Sequence, residues 1–343
     1  MKIALDATYS VGPEPTGVGV YSREIIAALA QAHPEAEFLC CYRPHRLLRA
    51  LRAPLPPNCR RLVFTDGWAP RAELFHGLNQ RLPRTRLRRA VSTFHDLFVL
   101  TAEYSTREFR ERFAAQARDA AARSDLIITV SEFTANQLRD LLGVDRGRLR
   151  VIPHGVRLRP PAAAARREPV ILHVGAIQHR KNVTRLVEAF ERTPAGWRLV
   201  LAGGLGYGAA EILERIRQSP RRSDIEVLGY VSDGRLAELY ARASILAFPS
   251  LDEGFGLPVL EAMACGVAVL TSARGALAEV AGDAAVLVDP EDTEAIARGL
   301  LALTQDPVLR DDLAARGRQR AAAFSWERAA AQTWEVYQEL LGS

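Results

Sequence analysis

Two glutamates eight positions apart bracket a glycine-rich stretch, Glu253-Gly254-Phe255-Gly256-Leu257-Pro258-Val259-Leu260-Glu261. The apolar run 245–248 before it reads as a short buried strand that Pro249 ends, and Pro258 suits the first turn of a helix. A strand therefore enters a helix N-terminus through Gly254 and Gly256. Amides at such a terminus lack intrahelical partners, the helix dipole favours negative charge there, and glycine lets an anion approach the main chain. These are the properties of a phosphate cradle. Two carboxylates around an anion cradle need another object, and sugar hydroxyls are one; from the loop and from the helix the pair can flank a single ligand. The plain alternative is an ordinary strand-to-helix turn with one exposed and one capping glutamate.

Arg180 and Lys181 follow another strand-like run, 170–174, and precede a helix-like stretch through Val183, Leu186, Val187 and Phe190. Two cations thus stand at the carboxyl end of a strand, where open α/β sheets bind ligands. Lys2 and Lys181 are the only lysines among 45 basic residues, so Lys181 stands out where arginine would otherwise serve. Gly17-Val18-Gly19, after the first strand, could form a further phosphate loop, but the remaining glycine of a dinucleotide fingerprint is missing and NAD binding is not indicated. His95-Asp96 sits at the end of the strand-like 91–94, and Gly229-Tyr230-Val231-Ser232-Asp233 ends one strand and begins a helix. His173, inside a strand, reads as a packed core residue, while His154 in a Pro-His-Gly turn is open to either reading. Asp289-Pro290-Glu291-Asp292 looks like a paired-acid metal site, yet its place before a long helix favours N-capping. No essential metal and no cofactor are expected.

The elements that must position these residues alternate between strand-like and helix-like from end to end, the pattern of an α/β protein with parallel sheets. The 343 residues exceed the usual single-domain size, and two domains are expected. The first has strands at 2–6, 37–42, 61–64, 74–76, 91–94 and 126–130, with helices at 21–31, 106–123 and 132–142. Residues 157–169 hold three prolines and a run of alanines, and read as the linker. A second series follows with strands at 170–174, 198–202, 225–228, 245–248, 267–270 and 285–288, closed by three helical stretches, the last capped by Ser325. Cys40, Cys41, Cys59 and Cys265 lie in no metal-ligand spacing, and Cys40 and Cys41 on one strand face opposite ways. Together with the absence of a signal-peptide pattern or a long apolar run, this leads to the expectation of a reduced cytoplasm. Residues 1–165 carry 25 basic and 16 acidic side chains, net +9, leaving 20 and 24, net −4, for the rest. The arginines at 81, 84, 86, 88 and 89 and along 107–123 could meet anionic lipid headgroups, an anionic acceptor or nucleic acid, or simply be a solvated face.

The Glu253–Glu261 stretch and the Ala262-Met263-Ala264-Cys265-Gly266 after it closely resemble the Glu-x7-Glu signature of the GT-B glycosyltransferases, in particular the retaining family 4 and its bacterial mannosyltransferases. The resemblance covers essentially the whole chain and is strongest over 170–290. It implies two Rossmann-like domains facing across a cleft: residues 1–158 binding the acceptor, 159–322 binding a nucleotide sugar, and a terminal helix, 323–343, returning to the first domain. It implies that Glu253 reads the sugar hydroxyls, that Gly254, Phe255, Gly256 and Leu257 hold sugar and diphosphate, and that Glu261 binds the ribose. Arg180 and Lys181 would hold the diphosphate, Tyr230 and Val231 would meet the nucleobase through their backbone, and Gly17, Val18 and Gly19 would approach the donor diphosphate. His95 would contact the donor sugar. The partners implied are a nucleotide-sugar donor, with GDP-mannose leading, and a glycan or polyprenyl-diphosphate-linked acceptor at the inner face of an anionic membrane, with no nucleic acid. UDP-glucose, UDP-N-acetylglucosamine and a deoxysugar nucleotide are the alternative donors, and a nonenzymatic sugar-nucleotide-binding module is the alternative of another class.

Overall fold

The computed structural model describes residues 1–12, 16–156 and 167–342. The chain divides into two compact units, the first made of Met1–Ala102, Arg107–Gly155 and Phe324–Ser343, the second of Glu103–Thr106 and Val156–Ala323. Most of the expected linker, residues 157–166, and the expected domain division at 158/159 lie outside the described residues.

The first unit is built on seven parallel strands: β1 (Lys2–Asp6), β2 (Glu37–Tyr42), β3 (Cys59–Val63), β4 (Leu74–Gly77), β5 (Ala90–Phe94), β6 (Leu126–Thr129) and β7 (Leu149–Val151). Their order is β3-β2-β1-β4-β5-β6-β7. The strand β7 was not among those expected, since three residues are too few to show a periodicity. Strands covered by helices on both faces read as continuous apolar runs, and the sheet separates its cores accordingly. Cys40 packs with Ile3, Leu5, Phe38 and the final helix on one side, and Cys41 with Ala4, Leu39, Phe64 and Phe75 on the other. The final helix, Trp326–Leu341, is capped by Ser325, whose hydroxyl accepts from the Arg328 amide at 3.1 Å. It lies against the helix Gly17–Ala32 within this unit and buries Trp326, Trp334 and Tyr337.

The second unit has six parallel strands: β8 (Glu168–Val174), β9 (Arg198–Ala202), β10 (Ile225–Gly229), β11 (Ala243–Phe248), β12 (Ala268–Ser272) and β13 (Val286–Val288). Their order is β10-β9-β8-β11-β12-β13. Pro169, expected in the linker, belongs to β8. Arg167 beside it donates to the carbonyls of Tyr240, Ala243, Cys265 and Gly266, clamping the amino end of the sheet. The strand order reverses between β8 and β11, and open α/β sheets bind ligands outside the carboxyl ends of strands at such a point.

Candidate active site

The residues that leave β8 and β11 meet at that reversal. After β8 the chain makes a tight turn at His179–Lys181 and then places Asn182 in the left-handed region, with φ 59°, the one non-glycine residue with positive φ among the described residues. This conformation costs a β-carbon-bearing residue energy unless its surroundings hold it. The Asn182 amide nitrogen donates to the carbonyls of Pro249 at 3.0 Å and Pro290 at 2.6 Å, so one side chain ties the loop after β8 to those after β11 and β13. Nothing in the local sequence singles out Asn182, because its contacts come from residues 67 and 108 positions away.

The turn delivers Arg180 and Lys181 to Glu253. The Arg180 guanidinium lies 2.8 Å from one carboxylate oxygen, and Lys181 Nζ reaches the other. Arg180 also donates to the Asp252 carbonyl at 2.5 Å, and its own carbonyl accepts from the Leu251 amide at 2.9 Å. The Lys181 ammonium stands 4.6 Å from the centre of the Phe248 ring, and its stem crosses Gly175, where a β-carbon would press on it at 3.3 Å. Glu253 is 10 % exposed at its side chain. Burial alone would raise its pKa, but the charges and hydrogen bonds of Arg180 and Lys181 more than offset this and bring it down to about 2. Glu253 is therefore an anion throughout the physiological range, an acceptor of hydroxyl hydrogen bonds and not an acid.

Gly256, at φ 107°, turns the chain into the helix Leu257–Ala264, with Pro258 in its first turn, and Gly254 and Phe255 are buried beneath. Glu261, one turn into this helix, accepts from the Tyr240 hydroxyl at 2.9 Å. Tyr240, on the helix Asp233–Arg242, is a partner that sequence reasoning missed, because nothing in the spacing of residues 240 and 261 links the two helices. Along the same edge the backbones after β8, β9 and β10 continue the ladder, Gly175 donating to Ala202 at 2.9 Å and Gly203 to Gly229 at 2.8 Å. Tyr230 and Val231 follow Gly229 and are partly exposed. Arg180, Lys181, Glu253 to Leu257, Glu261, Tyr230 and Val231 thus share the carboxyl edge of one sheet.

The expected site residues of the first unit have a different setting. Gly17-Val18-Gly19 is the first turn of the helix Gly17–Ala32 and not a loop before it, so the helix starts four residues earlier than expected. Thr16 is extended and precedes it, and two glycines do not stop a helix whose later turns are anchored by Tyr21, Ile25 and Leu29. His95 follows β5 and is buried; its Nε2 donates to the Leu78 carbonyl at 2.9 Å, which leaves Nδ1 to accept from Nε2 of His154 at 3.4 Å. The Tyr21 ring packs on both imidazoles, with centroids 4.7 and 4.8 Å away. Burial lowers the His95 pKa to about 4, so its ring is neutral at pH 7. His154, left open by the sequence, packs in the same cluster as His95, with ring centroids 5.3 Å apart. Behind it, Thr93 Oγ1 joins Tyr21 at 3.0 Å and His76 at 2.8 Å, and His76 meets Tyr337 of the final helix at 2.6 Å. His173 is a core residue, fully buried, donating to the Ala247 carbonyl at 3.0 Å. Asp292 caps the helix Thr293–Gln305 through the Glu294 amide, and Arg274 engages Asp289 and Glu291.

The family model described as "Glycosyl transferases group 1" matches residues 157–320, and the one described as "Glycosyltransferase Family 4" matches residues 15–159. Over 99 % of its length the chain is 33 % identical to the O-antigen chain mannosyltransferase B of Escherichia coli, of which it covers 100 %. Among solved structures, sucrose-phosphate synthase from Thermosynechococcus elongatus superposes with a TM-score of 0.81 at 24 % identity, over 100 % of this chain and 99 % of that one. WaaG, described as a glycosyltransferase involved in lipopolysaccharide biosynthesis, superposes with a TM-score of 0.75 at 16 % identity, over 98 % and 99 % of the two chains. These likenesses assign the GT-B fold.

Proposed function

We propose that the chain, which belongs to glycosyltransferase family 4 and is a glycosyltransferase, transfers mannose from GDP-mannose to a hydroxyl of a glycan or polyprenyl-diphosphate-linked glycan in surface polysaccharide synthesis, with retention of configuration and without a metal ion. The observation that carries this reading is the buried Arg180–Lys181–Glu253 triad at the strand-order reversal. Mannose is supported by the mannosyltransferase of E. coli that aligns along the full length of both chains.

The triad carries a net charge of +1, with its cations neutralised in part by Glu253. A nucleoside diphosphate brings more negative charge than one carboxylate, so it takes Arg180 and Lys181 for itself. Glu253 is then released toward the sugar, where an ionised carboxylate accepts from hydroxyls. As the anomeric carbon–oxygen bond breaks, the leaving diphosphate gains about one further negative charge; a unit pair at about 4 Å is worth roughly 4 kcal/mol at an effective dielectric of 20. The acceptor oxygen bonds to the anomeric carbon on the face the diphosphate leaves, and the hydroxyl proton passes to the departing phosphate oxygen. Neither Glu253, ionised, nor His95, neutral, is needed as a proton donor in this scheme. Glu261 takes the ribose with Tyr240 fixing its carboxylate, Gly254, Phe255, Gly256 and Leu257 line the sugar and diphosphate, and Tyr230 and Val231 receive the base. His95 keeps the sugar contact that the family resemblance gives it, and Gly17, Val18 and Gly19 the approach to the diphosphate.

The test is turnover of GDP-mannose, UDP-glucose, UDP-N-acetylglucosamine and a deoxysugar nucleotide in chelator, followed by nucleotide release, with the product anomer read by NMR. GDP release and an α-linked mannoside are expected. Selective turnover of a UDP-sugar would replace the donor, an inverted product would overturn the mechanism, and binding without transfer to any acceptor would indicate a sugar-nucleotide-binding module.

A further inference from the structure

From Phe38 to Thr65 the chain carries six arginines, at 43, 46, 49, 52, 60 and 61, and no acidic residue. Half of these cations are spoken for. Arg43 pairs with Asp66 at 3.0 Å, Arg60 with Glu37 at 3.1 Å, and Arg61 donates to the carbonyls of Ala50 and Ala53. Arg46, Arg49 and Arg52 have no ion pair among the described residues; Arg46 precedes, and the other two lie on, the short helix Leu47–Arg52, which packs against β3, the edge strand of the first sheet. That helix turns Ala50 inward and fully buries it.

Its outward side should be polar, and it is not. Leu48 is 74 % exposed and Leu51 60 %, the two most exposed large apolar side chains among the described residues of the first unit. Residues three and four apart are neighbours on a helix, so Leu48, Leu51 and Arg52 adjoin, as do Arg49 and Arg52. Single exposed leucines need no explanation, but two on one face, set among unpaired arginines in a stretch devoid of acid, do. Apolar side chains alternating with cations match a surface that offers hydrocarbon beneath negative charge. A protein groove would match the leucines and leave the arginines without partners, and a nucleic acid would match the arginines and leave the leucines in water.

We propose that the helix Leu47–Arg52 docks the protein on an anionic lipid bilayer, Leu48 and Leu51 entering the headgroup–acyl boundary and Arg46, Arg49 and Arg52 meeting lipid phosphates. The arginine cluster that the sequence drew attention to, 84 to 89, fits this task less well: its intervening Leu87 packs into the core beside Leu82, so it offers charge without exposed hydrocarbon. No helix of the described residues is long and apolar enough to cross a membrane, so the contact is made on the surface.

Co-sedimentation with phosphatidylethanolamine vesicles containing phosphatidylglycerol, and with phosphatidylcholine vesicles alone, tests this without any nucleotide sugar. It can therefore fail or succeed independently of the donor assignment. The wild type is expected on the anionic vesicles, with binding that weakens from 0.15 to 0.5 M salt as screening grows. Leu48→Ser with Leu51→Ser is expected to lower the partition coefficient about tenfold, and Arg49→Gln with Arg52→Gln several-fold with a shallower salt dependence. Both pairs are solvent-exposed, so unchanged circular dichroism and Tm would show that the fold is intact. No binding of the wild type to anionic vesicles would overturn the proposal, and so would leucine variants that bind like the wild type. Loss of concentration-dependent self-association in the leucine variants, with no lipid binding by the wild type, would assign the face to a second copy of the chain and equally overturn it.

Discussion

Each unit gathers polar side chains at the carboxyl edge of a parallel sheet, and the two gatherings are opposite in kind. In the second unit Glu253 is ionised because two cations outweigh its burial. In the first, His95, His154 and His76 are neutral because burial acts with no anion to oppose it, lowering His95 to about 4 and His76 to about 3. The same backbone geometry thus supplies an electrostatic site in one case and a neutral hydrogen-bonding site in the other, and the side chains decide which. In the proposed function, charge stabilisation of the donor falls to the second unit and neutral contacts to the first.

The comparison breaks most readily at Lys181. Lys181→Met keeps the stem across Gly175 and removes the charge; transfer is expected to fall about a thousandfold, with weaker nucleotide binding, as for loss of a group that meets developing charge. A variant with full turnover would remove the electrostatic assignment. Next in size, His95→Ala is expected to lower kcat about a hundredfold while nucleotide Kd, by calorimetry, stays within about twofold. Equal losses in Kd would mean that the first unit binds the nucleotide too.

The pH dependence of stability separates the units in another way. A histidine held neutral has a folded pKa below its unfolded value of 6.5, so its contribution is complete above pH 6.5 and is lost as pH falls toward the folded value. Each such group contributes a slope of up to about 1.4 kcal/mol per pH unit over that window. Three of these imidazoles are in the first unit and one, His173, lowered to about 4 by burial, is in the second. Glu253 acts lower: its pKa is depressed, so its contribution is present above 4.5 and lost as pH falls toward about 2. Between pH 7 and 5 amide protection factors, referred to the intrinsic exchange rate at each pH, should fall first in β4 and β5, and a uniform fall in both units would contradict this. The smallest effect is expected from Tyr240→Phe, which removes one hydrogen bond to Glu261, about 1 kcal/mol, and should weaken nucleotide-sugar affinity roughly fivefold; an unchanged Kd would detach Glu261 from the ribose.

What was legible in the sequence followed from local signals. The strand-to-helix turns at 174–183 and 248–257 announced themselves through glycine, proline and charge, and the rarity of lysine singled out Lys181 before its partner was known. The capping of the last helix by Ser325 was equally local. The pairing of Arg180 and Lys181 with Glu253 was not, because it joins residues 73 and 72 positions apart across the reversal of strand order. The same holds for Asn182, whose strained backbone is held by remote carbonyls, and for Tyr240. Composition marked the first half as basic, but which arginines stand beside exposed leucines depends on Ala50 and not Leu48 or Leu51 facing the sheet. The helix start at Gly17 was misplaced because Gly17-Val18-Gly19 reads locally as a phosphate loop, where packing of the later turns carries it as the first turn of the helix.

The central claim is that Glu253 and a nucleoside diphosphate contend for the same two cations. Titration calorimetry of GDP and GDP-mannose into the wild type and Glu253→Gln tests it directly. Removing the carboxylate takes from two buried cations the one anion they share in an ion pair, so the variant should be less stable without ligand. GDP should bind it at least as tightly as the wild type, while any preference for GDP-mannose over GDP is lost. GDP binding abolished by Glu253→Gln, with the variant still folded, would contradict the claim.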